Sequence, residues 1–391
     1  MERHNGNGNG HGNGHGLGRG AGRRVLITGG AGFVGSHLAD ELLAHGYRVR
    51  ALDNLSEQVH GPDIARPAYL SEDVELMRGD VRDAAAVKRA LQGVDAVFHF
   101  AAAVGVGQSM YEIERYTDVN NRGTAVLLEA LTAAPVERLV VASSMSVYGE
   151  GLYCDPDGNP VSPPPRSPEQ LGRGDWELYS HGRRLRPMPT PEAKPVVPSS
   201  VYALSKLDQE LMCLMVGQAY GIPTTALRFF NIYGPRQALS NPYTGVLAIF
   251  AARYLNRRPP LVFEDGRQRR DFVSVHDVAR ACRLALETPQ AAGQAFNVGS
   301  GRSISVLEVA EQMAQALGIE DLPPEITGKY RAGDIRHCYA DISLAQQVLG
   351  YRPQVTLSDG LEELVDWIVG QNAYDRVEAA AQELARRGLQ R

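Results

Sequence analysis

Short apolar runs separated by longer amphipathic stretches recur from Arg24 onwards, and they set the expected elements. Arg24-Val25-Leu26-Ile27-Thr28 is a β-branched run of strand length. Tyr47-Arg48-Val49-Arg50-Ala51-Leu52 predicts a second strand ending at Asp53, and a third ends at Asp80-Val81. Ala96-Val97-Phe98-His99-Phe100 predicts a fourth that runs into Ala101-Ala102-Ala103. Residues 110 to 134 read as a long helix with Asn120 near its middle, and Arg138 to Ser144 as a fifth strand. Such alternation predicts an α/β fold with a parallel, doubly wound sheet. Right-handed crossovers then bring the C-terminal ends of the strands to one edge, where ligands bind.

After Asn231 the rhythm breaks. Residues 236–271 and 299–372 hold short apolar runs among Pro and Gly, which suits a smaller C-terminal substrate-binding lobe. The chain is expected to revisit the main sheet near 272–298. Leu361–Val369 and Tyr374–Leu389 read as closing helices, the latter forming a C-terminal helix within 373–391. Residues 1–22 are Gly, Asn, His and Arg repeats with nothing to bury, and predict a disordered tail. The span 23–235 is then the dinucleotide domain, interrupted at 150–197 by an insertion rich in Pro, Gly and Arg. A loop of that length is functional or disordered. Its position beside Ser144 suggests a flap over the ligand.

Composition narrows the classes without naming one. The chain has 391 residues, 43% of them hydrophobic and 22% charged, with a net charge of -5. That balance points to no nucleic-acid partner and no membrane surface. Four scattered cysteines, Cys154, Cys213, Cys282 and Cys338, fit free thiols in a reducing cytoplasm.

The chemistry lies in two motifs. Gly29-Gly30-Ala31-Gly32-Phe33-Val34-Gly35 stands between the first strand and a helix. Gly29 permits the tight turn, Gly32 lets the backbone approach a pyrophosphate, and Gly35 lets the helix pack closely. The diphosphate would sit on the helix N-terminus, with the small residues after the fourth strand letting the cofactor cross the sheet edge. Asp53, about twenty residues on, is placed to accept from both ribose hydroxyls and repel a 2′-phosphate, favouring NAD in a Rossmann-type domain. Gly29, Gly32, Phe33, Val34, Gly35, Asp53, Asn54, Asp80, Val81, Phe100, Ala101, Ala102 and Asn120 are the expected cofactor contacts, with Tyr202 and Lys206. The second motif is Tyr202-Ala203-Leu204-Ser205-Lys206. Residues four apart share a helix face, so a lysine there favours the phenolate of its tyrosine and, together with a bound cofactor's charge, creates a base near neutral pH. Alone, this spacing occurs by chance in many helices.

In order, Thr28–Gly35, Ser143-Ser144-Met145-Ser146-Val147-Tyr148-Gly149, Tyr202-x-x-x-Lys206, Arg228–Pro235, Arg270-Asp271-Phe272 and Arg331-Ala332-Gly333-Asp334 resemble the extended short-chain dehydrogenase/reductase family, in its nucleotide-sugar epimerase/dehydratase branch. The resemblance covers roughly residues 24–370. It implies that Ser144 hydrogen-bonds the reacting hydroxyl, Tyr202 is the base and Lys206 its tuner. It implies that Ser146 and Asn231 touch the substrate, that Arg270 and Arg331 grip a diphosphate and that Asp334 lies near the nucleotide. The 4,6-dehydratases carry an Asp-Glu pair directly after the Ser/Thr; Met145 and Ser146 stand there and cannot exchange protons for water elimination. What remains is oxidation at C4 and hydride return to the opposite face, a 4-epimerisation of a nucleotide diphosphate sugar with NAD kept bound. A 4-ketosugar reductase and a non-catalytic NAD-binding protein remain alternatives. The resemblance also implies a homodimer through the 110–134 and 200–220 helices. The insertion is similar to one in a dTDP-L-rhamnose 4-epimerase-like subgroup, where paired cysteines suit zinc. Here one cysteine, Cys154, is left beside Ser180-His181, and no metal is expected. Tyr233, Asn241, Tyr243 and Phe263 are further candidates to line the nucleotide or sugar.

Overall fold

The computed structural model describes residue 20 and residues 22–238, 245–331, 333–369 and 377–390. Most of the 1–22 tail, Asn241, Tyr243 and the start of the expected C-terminal helix lie outside the described residues.

Seven strands form the main sheet: β1 Arg24–Thr28, β2 Arg48–Asp53, β3 Glu75–Arg78, β4 Ala96–His99, β5 Arg138–Ser144, β6 Thr224–Phe229 and β7 Ala295–Val298. Their order is β7-β6-β5-β4-β1-β2-β3 and every pairing is parallel. Val25 opposes Val49 on one side and Ala96 on the other, so the strand order reverses at β1. A crevice opens at that reversal, beyond the strand C-termini.

The apolar runs are continuous because both faces are covered. Val25 and Ile27 point to one core with Leu38 and Leu42 of the Phe33–Ala44 helix and Val278, Ala281 and Ala285 of the Val275–Glu287 helix. Leu26 points to the other, with Leu127 and Leu131 of the Gly123–Ala133 helix and Cys213 of the Val201–Tyr220 helix. The third strand stops at Arg78, two residues before Asp80. The expected 110–134 helix is broken into the turn Ile113–Tyr116, a π-helical stretch Thr117–Arg122 and the helix Gly123–Ala133. A π-turn inside a helix swings one side chain out of register; here Asn120 lies on it.

A separate core of Tyr233, Phe250, Tyr254, Val309, Met313, Leu361 and Leu364 unites the helices Val246–Leu255, Val306–Leu317 and Leu357–Val369 in a smaller lobe. The Ser343–Leu349 helix, expected in that lobe, instead packs Ala345 and Leu349 into the main core. The chain ends in the helix Val377–Arg386.

The insertion folds into a three-stranded antiparallel sheet of Leu152–Cys154, Pro160–Val161 and Arg186–Met188, with Tyr153, Leu178 and Leu185 as its small core. Val197 N–H donates to Val147 C=O at 2.9 Å, so the insertion leaves beside the point where it enters. Arg166 and the fully buried Arg336 tie it to the lobe through Glu264 and Glu177. None of residues 150–197 lines the cleft, so the expected flap is instead a module fastened beside it. Among the described residues no three His, Cys, Asp or Glu side chains cluster as metal ligands, and no helix is long and apolar enough to cross a membrane.

Candidate active site

The cleft at the sheet edge has a volume of about 780 Å³. Its floor begins at Gly29, which takes a φ of +71° and donates its N–H to Leu52 C=O at 2.8 Å. A Cβ at Gly35 would stand 2.3 Å from Gly29 C=O, so the helix can meet the turn only through a glycine. The helix starts after Gly32 with no side-chain cap, leaving its first N–H groups, at Phe33 and Val34, facing the cleft. That is a cradle for a phosphate anion. Asp53 follows at the end of β2. Its two oxygens accept from Ala31 N–H at 3.1 Å and Leu55 N–H at 2.9 Å, which fixes the carboxylate at the rim. Asn54, Asp80 and Val81 form the far end, with Asn54 Nδ2 donating to Asp80 at 3.1 Å. Phe100, Ala101 and Ala102 continue the floor beyond β4. The donor-rich helix start, the rim carboxylate and the small floor residues fit a dinucleotide.

Asn120 is corrected. It is fully buried and absent from the cleft wall. Its amide accepts from Ala103 N–H at 2.7 Å and donates to Ala103 C=O at 3.1 Å and Ser205 Oγ at 2.9 Å. It positions the loop after β4 against the Val201–Tyr220 helix and has no atom left for a cofactor.

At the other end Ser144, Ser146, Tyr202, Lys206 and Asn231 meet. Ser144 closes β5 and accepts from Ser146 N–H at 3.2 Å and Ser146 Oγ at 2.9 Å. With its lone pairs so occupied, its own proton is free to point into the cleft, on whose wall Tyr202 also stands. Ser200 caps the helix by accepting from Ala203 N–H at 3.1 Å, and Ser109 Oγ accepts from Tyr202 N–H at 3.0 Å.

Burial raises the Tyr202 pKa, and the Ser144 hydroxyl pulls it back in part. Lys206 is itself lowered to about 8 by burial. Its ammonium donates to Gln209 Oε1 at 2.9 Å. Of the two charges expected to make the phenol acidic, the chain supplies Lys206 and the cofactor would supply the other.

Beneath Lys206 runs a buried polar chain that the motif reading missed. Gln209 Nε2 donates to Thr124 Oγ1 at 2.8 Å, and His99 bridges Thr124 and Thr28, each at 2.8 Å. Burial holds the His99 pKa at about 3, so the ring is neutral. Glu210 pairs with Arg228 at 2.6 Å and accepts from Ser143 Oγ at 2.6 Å. Its place four residues after Lys206, on the same helix face, was the available signal.

Arg270, Arg331 and Asp334 are not on the cleft wall. Arg270 donates to the carbonyls of Arg269 at 2.9 Å and Arg336 at 3.0 Å, and also to that of Ile335. Arg331 stacks on Phe263, 4.3 Å from the ring centre. Asp334 C=O accepts from Arg166 at 3.0 Å. In this conformation these groups shape the lobe. Tyr233 is buried in the lobe core, and its hydroxyl donates to Thr356 C=O at 3.3 Å.

A family model described as the NAD dependent epimerase/dehydratase family matches residues 25–168 and 177–299, omitting part of the insertion. The chain is 37% identical over 350 residues to a dTDP-L-rhamnose 4-epimerase of Burkholderia thailandensis, covering 88% of this chain and 95% of that one. It is 34% identical to a UDP-glucose 4-epimerase of Mycolicibacterium smegmatis, covering 88% and 98%. Among solved structures, the Thermus thermophilus UDP-glucose 4-epimerase complex with NAD superposes with a TM-score of 0.70 at 32% identity, covering 89% and 100%. The Bacillus cereus UDP-glucuronic acid 4-epimerase, in complex with UDP-glucuronic acid and NAD, gives 0.72 at 28% identity, covering 88% and 99%.

Proposed function

Because the chain belongs to the NAD dependent epimerase/dehydratase family, we propose that it inverts C4 of a nucleotide diphosphate hexose through a transient 4-ketose. The observation that carries this reading is that Ser144, Tyr202 and the buried Lys206 stand on the wall of the same cleft as the glycine turn and Asp53. Bound in the cleft, oxidised NAD supplies a hydride acceptor and a positively charged ring. Tyr202 takes the C4 hydroxyl proton and later returns it. Ser144 Oγ, held by Ser146, orients that hydroxyl and the phenol. Lys206 contributes positive charge from below, fixed by Gln209. Met145 and Ser146 follow Ser144, so no carboxylate stands there to expel water from C5 and C6. Inversion is the outcome that this set of side chains supports.

The substrate reading is a 6-deoxyhexose on dTDP, supported by the 37% identity to the Burkholderia protein. The quaternary reading is a homodimer. Leu204, Leu211 and Met215, exposed by 57%, 46% and 59%, form one stripe on the Val201–Tyr220 helix. A stripe spaced by seven and four residues suits a partner helix.

The test is a panel of UDP-, dTDP- and GDP-sugars without added cofactor, followed by NMR for inversion at C4. Tyr202→Phe should lower turnover by about 10²–10⁴-fold while leaving NAD content unchanged. Stoichiometric NAD released on boiling supports epimerisation; reduction that consumes added cofactor would replace it with a ketosugar reductase.

A further inference from the structure

We propose that the C-terminal helix braces the loop that seats Tyr202, which makes Leu384 and Arg387 positioning residues for the reaction. This rests on the reading of Tyr202 as the base.

The helix Val377–Arg386 has one footing on the lobe. Glu378 accepts from Arg253 at 2.8 Å and from Arg258 at 2.9 Å. Arg253 lies on the Val246–Leu255 helix, whose first residues, Val246 and Leu247, line the cleft. Two turns along, Leu384 is buried on the opposite wall. A Cβ placed on Gly107 would come 3.3 Å from Leu384 Cδ2, so the leucine lies directly on the glycine backbone. Arg387 sits 4.3 Å from the centre of the Tyr111 ring and is steered there by Glu383 at 2.6 Å. The chain then turns at Gly388, with a φ of +69°, and Gln390 pairs antiparallel with Arg331 back on the lobe. A single segment thus touches the lobe at both ends and the cofactor-side wall between them.

What it presses on is one turn from the chemistry. Gly107 belongs to the short helix Val106–Ser109. Val104, Gly105 and Val106 line the cleft. Ser109, fully buried, donates to Val106 C=O at 2.7 Å and accepts the Tyr202 N–H at 3.0 Å. The place of a four-residue turn depends on what packs on it. Gln108 anchors one side of it through Glu112 and Tyr116, at 3.0 and 3.2 Å. Leu384 and Arg387 cover it at Gly107 and Tyr111, and Ser109 passes the position to the first turn of the Tyr202 helix.

The experiment uses the full chain and its Leu384→Ala, Arg387→Ala and Arg387→Lys variants. The readouts are kcat and KM for a dTDP- or UDP-hexose, bound NAD, melting temperature and amide hydrogen exchange of residues 104–111. Leu384→Ala is expected to lower kcat about tenfold, with a smaller change in KM and unchanged NAD content, since small displacements of reacting groups carry large rate penalties. Exchange across 104–111 should rise in Leu384→Ala and in Arg387→Ala, and Arg387→Lys should recover what Arg387→Ala loses. Unchanged exchange and unchanged kcat in Leu384→Ala would overturn the proposal, as would a lowered melting temperature with neither effect. If the wild-type chain inverts no sugar in the panel, the reaction reading falls, while the exchange measurement still decides the brace.

Discussion

Replacing Lys206 by methionine should abolish turnover and make the dinucleotide-free protein more stable. Lys206 is 3% exposed, its ammonium donates to Gln209 Oε1, and burial lowers its pKa from 10.5 to about 8. At about 1.4 kcal/mol per unit, holding that charge costs the folded chain on the order of 3 kcal/mol near pH 7. Methionine has similar length and no charge, so it removes the cost. It also leaves Gln209 Oε1 without its donor, a penalty of about 1–3 kcal/mol. The first effect is the larger, with a net gain on the order of 0–2 kcal/mol. The sign can be checked by pH. Below pH 8 the folded and unfolded chains both carry the proton, and the cost is fully present. Between 8 and 10.5 the folded chain sheds it first, so wild-type stability rises relative to the variant and their difference shrinks. Thiols and phenols of the unfolded chain titrate in that range too, while burial holds those of the folded chain higher, Cys213 and Cys338 at about 12; that contribution is common to both proteins and cancels in the difference. Urea unfolding at pH 7 and pH 10 measures it. A variant less stable than wild type at pH 7, or a difference that does not change with pH, would refute the reasoning.

Other outcomes follow from the same geometry. Gly35→Ala places a Cβ 2.3 Å from a carbonyl oxygen and should purify without NAD, as absorbance of the boiled supernatant would show. Arg228→Met strands the Glu210 carboxylate, which is 1% exposed, and should destabilise the chain by about 3–5 kcal/mol in urea unfolding. Asn120→Ala orphans the buried Ala103 N–H, for a loss of about 1–3 kcal/mol or more, and should loosen the cofactor although Asn120 never touches the cleft. Leu211→Glu puts a charge in the exposed stripe of the Tyr202 helix; the proposed homodimer predicts a shift of the sedimentation profile to monomer, and a wild-type chain that sediments as a monomer would refute it.

The residue pattern alone determined the parallel sheet, the glycine turn and the convergence of Ser144, Tyr202 and Lys206. These depend on local periodicity and on backbone freedom at a few glycines. A strand covered on both faces reads as an unbroken apolar run, and a turn that admits no Cβ reads as Gly29 and Gly35. Tertiary structure decided where the polar groups spend their hydrogen bonds. Arg270 looked free for a phosphate until Ile335 and Arg336, sixty-five and sixty-six residues away, presented their carbonyls to it. Asn120 looked like a cofactor ligand until a π-turn aimed it at Ala103 and Ser205. The insertion read as a flap until its Arg166 paired with Glu264 and its Glu177 with Arg336. Desolvation is likewise a property of the packed chain: the spacing puts Tyr202 and Lys206 on one face, and burial then pushes the phenol up and the ammonium down, an opposing effect the spacing does not show. Spacing puts two groups on one helix face, but only the atoms packed around them set what each charge costs.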